Sequence, residues 1–251
     1  MFTQVRKWLE ASRPRGVTFL SGAGLSTDSG IPDFRGPQGL WTKNPSAQQM
    51  FTLQAYLADP EVRARAWMNR LEHPAWHAKP NAAHVAVADY ARSGRVRSVV
   101  TQNIDGLHQA AGLPNDLVVE LHGTLRDAVC LDCGRRVPMA EALARVSAGE
   151  VDPLCEVCGG LQKSATISFG QSLEADVLDD AILAATECDV LLTLGTSLQV
   201  QPAATLCDIA QGSGARLVIC NAEPTPYDAQ ADAVLREPLG SLLPRLLQPA
   251  S

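Results

Sequence analysis

Short apolar runs recur along the chain, and each ends in small or polar residues. The runs are VTFL at 17–20, VRSVV at 96–100, LVVEL at 117–121, VLLTL at 190–194 and RLVIC at 216–220. Helical patterns lie between several of them, at 82–94, 174–188 and 202–214. Because strands buried on both faces read as continuous apolar runs, this alternation predicts an α/β fold: a Rossmann-like parallel sheet with helices on both faces.

A small or polar segment follows each apolar run. The segments are SGAG, TQNID, HG, GTS and NAE. In open α/β sheets, ligands bind beyond the carboxyl ends of the strands, so we expect these five segments to meet at one site.

Residues 124–168 lack the alternation of apolar runs and helical patterns, which predicts a small inserted module. They hold two cysteine pairs and four glycines, with little apolar periodicity beyond MAEALARV. The ranges 1–123 and 169–251 then form the Rossmann-like domain. Prolines are frequent between 37 and 80, and this region predicts helices beside the sheet that belong to the smaller domain.

Composition narrows the class of protein. The 251 residues are 46% hydrophobic and 19% charged, which is ordinary for a folded globular chain. The formal net charge of −6 leaves no basic footprint, so nucleic acid is disfavoured as a ligand. Val5, Trp8 and Leu9 lie at helical spacing among polar residues, which indicates a docking helix and neither a signal peptide nor a membrane span. We therefore expect a cytoplasmic protein.

Two C-x-x-C units are separated by 21 residues. Their ligands would be Cys130, Cys133, Cys155 and Cys158. Each two-residue gap lets both thiolates reach one ion, and Gly134 and Gly159 follow where a tight turn is needed. Four thiolates fill a tetrahedral Zn²⁺ site and exclude water, so the predicted zinc ribbon is structural.

The seven cysteines allow other uses. Free core thiols or a redox dithiol are the alternatives for the paired units, but Asp132, Glu156 and the glycines do not describe a buried apolar segment. The remaining Cys188, Cys207 and Cys220 lie in apolar patterns, which predicts inert burial.

The segment GAGLSTDSGIPDFRG at 22–36 begins like a dinucleotide loop and then departs from it. Gly22 and Gly24 would let the backbone approach a pyrophosphate, but Thr27 stands where the third glycine belongs. No Asp or Glu lies between Asp33 and Asp59, so the acid that holds the ribose is missing from its expected place. A plain tight turn is the alternative for a lone Gly-x-Gly.

A substitute for that acid follows two later strands. The segments are Gly195, Thr196 and Ser197, and then Asn221, Ala222 and Glu223. From there a carboxylate and an amide can meet ribose hydroxyls, which suits a dinucleotide lying in an unusual orientation.

Seven motifs occur in the order found in sirtuins of the bacterial type, the NAD-dependent protein-lysine deacylases. They are residues 22–36, Thr101-Gln102-Asn103-Ile104-Asp105 with Leu107-His108, Leu121-His122-Gly123, the C-x-x-C pairs, Ile167-Ser168-Phe169-Gly170, Gly195-Thr196-Ser197-Leu198 and Asn221 to Glu223. The resemblance spans residues 17 to about 245. It implies that NAD is consumed as a co-substrate, that the partner is an acylated-lysine protein or peptide, and that the products are nicotinamide, free lysine and O-acetyl-ADP-ribose.

The resemblance also implies how NAD is held. The positions that resemble a phosphate cradle are Gly22, Ala23, Gly24 and Ser26. Those that resemble a mobile flap over the nicotinamide are Ile31, Pro32, Asp33, Phe34 and Arg35. Ile31 and Phe34 could instead be ordinary core contacts.

Residues after the second apolar run resemble the chemical centre of the family. Asp105 and Ile104 resemble the nicotinamide pocket, whereas Asn103 and Gln102 resemble groups that orient the ribose and its water. Capping of a helix that begins near residue 106 is the alternative for Asn103 and Asp105.

His122 resembles the base that takes a proton from a ribose hydroxyl. It follows an apolar run, and an imidazole titrates near neutrality without special tuning. Of the other histidines, we expect His84 and His108 to be structural, and His73 and His77 to be solvated.

An extended peptide is expected to bind between the sheet domain and the zinc module, against residues 168–171 and 197–200. Two departures from the family leave its charge preference open: Gln171 replaces a common glutamate and Ser164 replaces a frequent proline.

The acyl preference rests on Trp67 and Arg70. Sirtuins that prefer acidic acyl groups carry a Tyr and, three residues later, an Arg at what we take to be these positions. Arg70 could meet a carboxylate, but Trp67 has no phenolic hydroxyl, so acetyl is favoured. A solvated Arg70 is the alternative.

Three other functions compete with deacylation. Mono-ADP-ribosyl transfer would use the same site and differ in the acceptor. A zinc-ribbon binding module with an inactive nucleotide fold is disfavoured because His122, Asn103 and Asp105 are all present. A dehydrogenase is weakest, because the ribose acid is missing.

Overall fold

A six-stranded parallel sheet forms the centre of the protein, in the order β3-β2-β1-β7-β8-β9. The computed structural model describes residues 1–12, 14–36, 39–43 and 52–248. The strands of this sheet are β1 (Val17–Ser21), β2 (Val96–Thr101), β3 (Val118–Glu120), β7 (Val190–Leu194), β8 (Arg216–Cys220) and β9 (Ala233–Leu235). This is the order of doubly wound dinucleotide folds, and the sequence of strands reverses between β1 and β7.

Helices cover both faces of this sheet, as the sequence predicts. Helices α1 (Phe2–Ala11), α5 (Ala82–Ala91) and α10 (Leu239–Leu246) pack on one face, and α8 (Ala175–Thr186) and α9 (Thr205–Gly212) pack on the other. Successive strand residues point to opposite faces, so Phe19 joins the first core and Leu20 the second. The α/β class is therefore confirmed.

A second, antiparallel sheet of three strands has the order β5-β4-β6. Its strands are β4 (Gly123–Cys130), β5 (Arg136–Pro138) and β6 (Gln162–Thr166). Helix α7 (Met139–Ser147) packs on it, together with α4 (Pro60–Leu71), around Trp67 and Met139. Helix α4 thus packs on the smaller sheet.

The remaining helices are short. They are α2 (Leu40–Lys43), α3 (Leu53–Ala58) and α6 (Leu107–Ala110). Residues 37, 38 and 44–51 of the predicted helical region lie outside the described residues. None of the helices in the described ranges is long and apolar enough to cross a bilayer.

Candidate functional site

A cleft of about 1440 Å³ opens at the carboxyl ends of β1, β2, β7 and β8 and reaches the smaller sheet. The residues that the sequence nominates for cofactor, catalysis and substrate line it, except Leu198 of the 197–200 segment, which is buried; the four cysteines lie elsewhere. The cleft therefore lies at the switch point between β1 and β7, where open α/β sheets bind their ligands. Its volume exceeds that of an ordinary small-molecule pocket, which leaves room for a dinucleotide and part of a second substrate.

The loops that follow β1 and β7 touch backbone to backbone. Gly22 donates its N–H to the carbonyl of Leu194, and Gly24 donates to that of Gly195, each at 2.9 Å. A Cβ at Gly22 would lie 2.7 Å from the Thr196 Cβ, and one at Gly24 would lie 2.9 Å from the Gly195 oxygen. The sequence explains these glycines by approach to a pyrophosphate, but in the structure the β7 loop itself requires them.

A buried network joins the β1 loop to the segment after β2. Asn103 Nδ2 donates to the carbonyl of Gly22 and to Ser26 Oγ, both at 3.1 Å, and Ser26 Oγ donates to Asp105 Oδ2 at 2.7 Å. The second Asp105 oxygen accepts the N–H of Leu107, the first residue of α6, at 2.9 Å. The helix-end alternative therefore holds for Asp105 and is wrong for Asn103, whose amide is fixed within the cleft.

His122 stands at the junction of the two sheets. Its Nδ1 lies 3.0 Å from the carbonyl oxygen of Gln102, and Gln102 Nε2 donates to Thr196 Oγ1 at 2.8 Å. Because a carbonyl can only accept, Nδ1 carries the hydrogen and Nε2 is left as the acceptor of the ring. Burial lowers the pKa of His122, and the Gln102 carbonyl opposes this more weakly. The arrangement yields an imidazole that is neutral at pH 7 and able to accept a proton.

The other histidines divide differently from the prediction. His84 and His108 are buried, as expected; His84 caps α5 with Asn81, and His108 hydrogen-bonds Ser21. His77 is exposed, as expected. The prediction for His73 was wrong: this residue is half-buried, lines the cleft, and accepts the N–H of Ala75, because it begins a short 3₁₀ turn. Burial and the neighbouring Arg70 lower its pKa to about 4.

Arg236 holds the loop after β8, and sequence reasoning missed it. Its Nη1 donates to the carbonyls of Asn221 at 2.8 Å and Glu223 at 2.7 Å, and its Nη2 pairs with Asp228. Asn221 Nδ2 donates to the same Glu223 carbonyl. The Glu223 carboxylate therefore lies on a loop whose backbone is fixed. An arginine directly after the short strand β9 was the one available signal.

The segment predicted to pair with a peptide carries its own contacts. The Phe169 carbonyl accepts the N–H of Leu53 at 2.9 Å, beside a bridge between Thr52 and Phe169. Gln171 Oε1 accepts the N–H of Ser168 at 3.2 Å, so this side chain is turned back on its own loop. Gly170 has a φ of +79° at this turn, which favours glycine.

Trp67 and Arg70 both line the end of the cleft that adjoins the smaller sheet. Trp67 is buried, and its Nε1 has no hydrogen-bond partner among the described residues. The solvated alternative for Arg70 is wrong: this residue is half-buried, and its guanidinium donates to Ser164 Oγ at 3.1 Å and Thr166 Oγ1 at 3.4 Å.

The four paired cysteines form a metal site at the far end of the smaller sheet. Their sulfurs all lie within 4.8 Å of one another, with Cys130 and Cys158 at 3.5 Å and Cys133 and Cys155 at 3.8 Å. Zinc–thiolate bonds of about 2.3 Å in a tetrahedron place sulfurs about 3.8 Å apart, so the residues fit Zn²⁺. Four protein ligands leave no open position, and the ion would stabilise the fold without touching substrate.

The two halves of the metal site repeat one backbone turn. Gly134 donates to the Cys130 carbonyl at 3.0 Å and Gly159 to the Cys155 carbonyl at 2.8 Å, with φ values of +71° and +72°. Only glycine adopts this left-handed conformation without strain, which explains why one follows each pair. The other three cysteines are buried, as the sequence predicts.

Comparison with known proteins gives one family. The model of the Sir2 family matches residues 22–202. "NAD-dependent protein deacetylase 2" of Streptomyces coelicolor is 56% identical over 92% of this chain and 96% of its own length. "NAD-dependent protein deacylase 2" of Pyrobaculum aerophilum is 40% identical over 96% and 92%.

Solved structures agree with these matches. A Sir2 variant with a deacetylated p53 peptide and 3′-O-acetyl ADP-ribose superposes with a TM-score of 0.89 at 34% identity, covering 98% of this chain and 97% of that one. A complex of Sir2 with a p53 peptide and NAD⁺ gives a TM-score of 0.86 at the same identity and coverage.

Proposed function

Because this chain belongs to the Sir2 family, we infer that it is an NAD-dependent protein deacylase that removes acetyl groups from lysine. The acyl-lysine amide oxygen attacks C1′ of the NAD ribose as nicotinamide leaves, and the acyl group then passes to a ribose oxygen. The products are nicotinamide, O-acetyl-ADP-ribose and free lysine.

The observation that carries this function is the state of His122. Its hydrogen lies on Nδ1, against the Gln102 carbonyl, so Nε2 is available as a general base for a ribose hydroxyl. We assign that step to His122, and we assign orientation of the ribose and its water to Asn103 and Gln102.

Binding of the two substrates follows from the walls of the cleft. Gly22, Ala23, Gly24 and Ser26 would cradle the phosphates, and residues 31–35 would close over the nicotinamide beside Ile104 and Asp105. Residues 195–197 and 221–223 would hold the adenosine side. The peptide would add between 168–171 and 197–200 through backbone hydrogen bonds, which read little sequence. We take 1–123 with 169–251 as the NAD-binding domain and 124–168 as the metal module.

One experiment tests this function. The protein is incubated with an acetyl-lysine peptide with and without NAD, and free lysine peptide and nicotinamide are measured together. We expect equal amounts of free-lysine peptide and nicotinamide when NAD is added, and neither product when NAD is omitted. Mass spectrometry of the peptide separates loss of acetyl from gain of ADP-ribose. Replacing His122 by Ala should lower kcat/KM by about a hundredfold or more, because the base is removed; full activity of this variant would refute the assignment.

A further inference from the structure

A second, smaller cavity lies in the metal module. Helix α7, strands β5 and β6 and the second cysteine knuckle contribute its walls, and its volume is about 280 Å³. Among the described residues, none lines both this cavity and the large cleft. The volume is near the lower limit for small-molecule sites, so the cavity has room for a molecule of amino-acid size and not for a nucleotide.

Gln162, the first residue of β6, is the buried polar residue of this cavity. It is 2% exposed, and its side-chain Oε1 has no hydrogen-bond partner among the described residues. Its backbone carbonyl is already occupied, because it accepts the hydroxyl of Tyr56. The next residue, Lys163, is 3% exposed and lines the large cleft instead. Since buried polar groups are nearly always hydrogen-bonded, the free amide of Gln162 points to a ligand or a water in the smaller cavity.

Three unpaired charges line the same cavity. They are Glu141 on α7, Glu156 in the second cysteine knuckle and Arg135 just before β5, and all three are exposed. Within the ranges that the structure describes, none of them forms an ion pair within 4.0 Å. Arg145 also lines the cavity, but Glu150 accepts two hydrogen bonds from its guanidinium, at 2.7 and 2.6 Å. The cavity therefore offers two free negative charges and one free positive charge.

Val137 and Ala142 add apolar surface to this cavity. Ala142 is 2% exposed and belongs to the core around Trp67 and Met139, and Val137 packs against that core. An aliphatic chain can cover such surface while its charged ends stay in water. A ligand that complements the whole cavity therefore combines methylene groups with two positive charges and one negative charge.

We propose that this cavity binds a free basic amino acid of the lysine class. The two ammonium groups of the ligand would meet Glu141 and Glu156, its carboxylate would meet Arg135, and its methylene groups would lie against the apolar surface. One of its charged groups would also bond to Gln162, because an amide accepts from an ammonium and donates to a carboxylate. The proposal involves no chemical step and does not depend on the deacylase function.

The test is a titration of the isotope-labelled, full-length protein with L-lysine, followed by heteronuclear NMR at constant ionic strength. Two analogues each lack one charged group: L-norleucine lacks the side-chain ammonium, and cadaverine lacks the carboxylate. We expect the backbone amide signals of α7, β5 and β6 to shift. Lysine should bind about threefold or more tightly than either analogue, because each analogue loses one exposed charge pair.

Two variants locate the site. Gln162→Met keeps the length of the side chain and removes the amide, so the affinity for lysine should fall about tenfold. Glu141→Gln removes one exposed charge and should lower the affinity about threefold. Glu61→Gln is the matched control, because Glu61 is also an exposed glutamate in the first turn of a helix but lines neither cavity. Its affinity for lysine should equal that of the wild type.

Three results would overturn the proposal. Equal affinities for lysine and both analogues would indicate nonspecific attraction to the protein surface. An affinity for lysine that is unchanged in Gln162→Met and in Glu141→Gln would place the ligand elsewhere. No shift of any signal would show that water alone fills the cavity. The proposed deacylase function stands in each of these cases, because the peptide assay tests it separately.

Discussion

At the scale of single residues, the reactivity of the cleft depends on where protons lie. The Gln102 carbonyl keeps the His122 hydrogen on Nδ1, and burial disfavours a second proton on the ring. Neither effect requires a charged partner, so the imidazole that we propose as the base is neutral before substrate binds.

The pH dependence of the reaction follows from this. A general base must be neutral to accept a proton, and the neutral fraction is lost as pH falls through its pKa. Because burial lowers the pKa of His122 from 6.5, the acid limb of kcat/KM should lie below pH 6.5. Deacetylation rates measured from about pH 5 to pH 8 would show it. His77→Gln, at an exposed site, should give the same limb, and a limb centred above pH 7 would contradict the assignment.

Which residues could be predicted from sequence depended on their neighbours along the chain. His122 was predictable because it directly follows an apolar run at the edge of the sheet. The burial of Lys163 was not, because it depends on pairing of β6 with β4 and on α4 packing from a distant part of the chain. The contacts of Arg236 likewise reach back across 13 to 15 positions to the β8 loop.

At the scale of elements, the site is built from loops held by backbone contacts. The five apolar runs predicted five of the six strands of the larger sheet. The sixth, β9, covers Ala233–Leu235, and the charged Asp232 and Arg236 on either side leave an apolar run too short to predict a strand. The predicted helix at 202–214 begins three residues later than expected, at Thr205.

The contact between the β1 and β7 loops can be tested with a pair of glycines. In Gly24→Ala the new Cβ would lie 2.9 Å from the Gly195 oxygen, so we expect a loss of about 1–3 kcal/mol of unfolding free energy and weaker NAD binding. In Gly212→Ala, at the end of α9, the Cβ meets no atom within 4 Å. That change should stabilise the protein by about 0.5–1 kcal/mol. Urea unfolding measures both; equal effects would show that the loop contact is unimportant.

The loop after β8 offers a second test at this scale. Arg236→Gln should remove the hydrogen bonds to the carbonyls of Asn221 and Glu223 and release the loop. We expect KM for NAD to rise about tenfold and kcat to change far less, because the reacting atoms lie elsewhere in the cleft. Arg92→Gln, which breaks an exposed pair with Asp89, is the matched control. An equal fall in kcat would argue against a positioning role.

At the scale of the whole molecule, two sheets of different construction share one cleft. The loops after the larger sheet line one side of the cleft, and the smaller sheet with α4 lines the other. The core of the smaller sheet includes Trp67 from α4, which also lines the cleft, so disorder in the metal module would reach the cleft wall directly.

Metal removal tests this dependence. We expect one zinc per chain in the wild type and much less bound zinc in Cys133→Ser. In this variant we also expect faster hydrogen exchange in β4, β5 and β6 and loss of deacylation. Cys207→Ala changes a buried thiol outside the metal site and should retain zinc. Zinc content measured by mass spectrometry, together with hydrogen-exchange rates, tests whether the module depends on the metal. Full activity of the metal-free protein would show that the module contributes nothing to the cleft.

Strand β4 connects His122 to the metal site through continuous backbone. It begins at Gly123, directly after His122, and ends at Cys130, one of the four thiolates. Eight residues of extended chain span roughly 25 Å. The backbone N–H of Ile167, just past β6, also donates to the His122 carbonyl at 2.8 Å. One continuous strand thus joins the metal site to His122, although its pairing with β6 is irregular between Gly123 and Ala128. We expect loss of the metal to shift the imidazole at the other end of this strand.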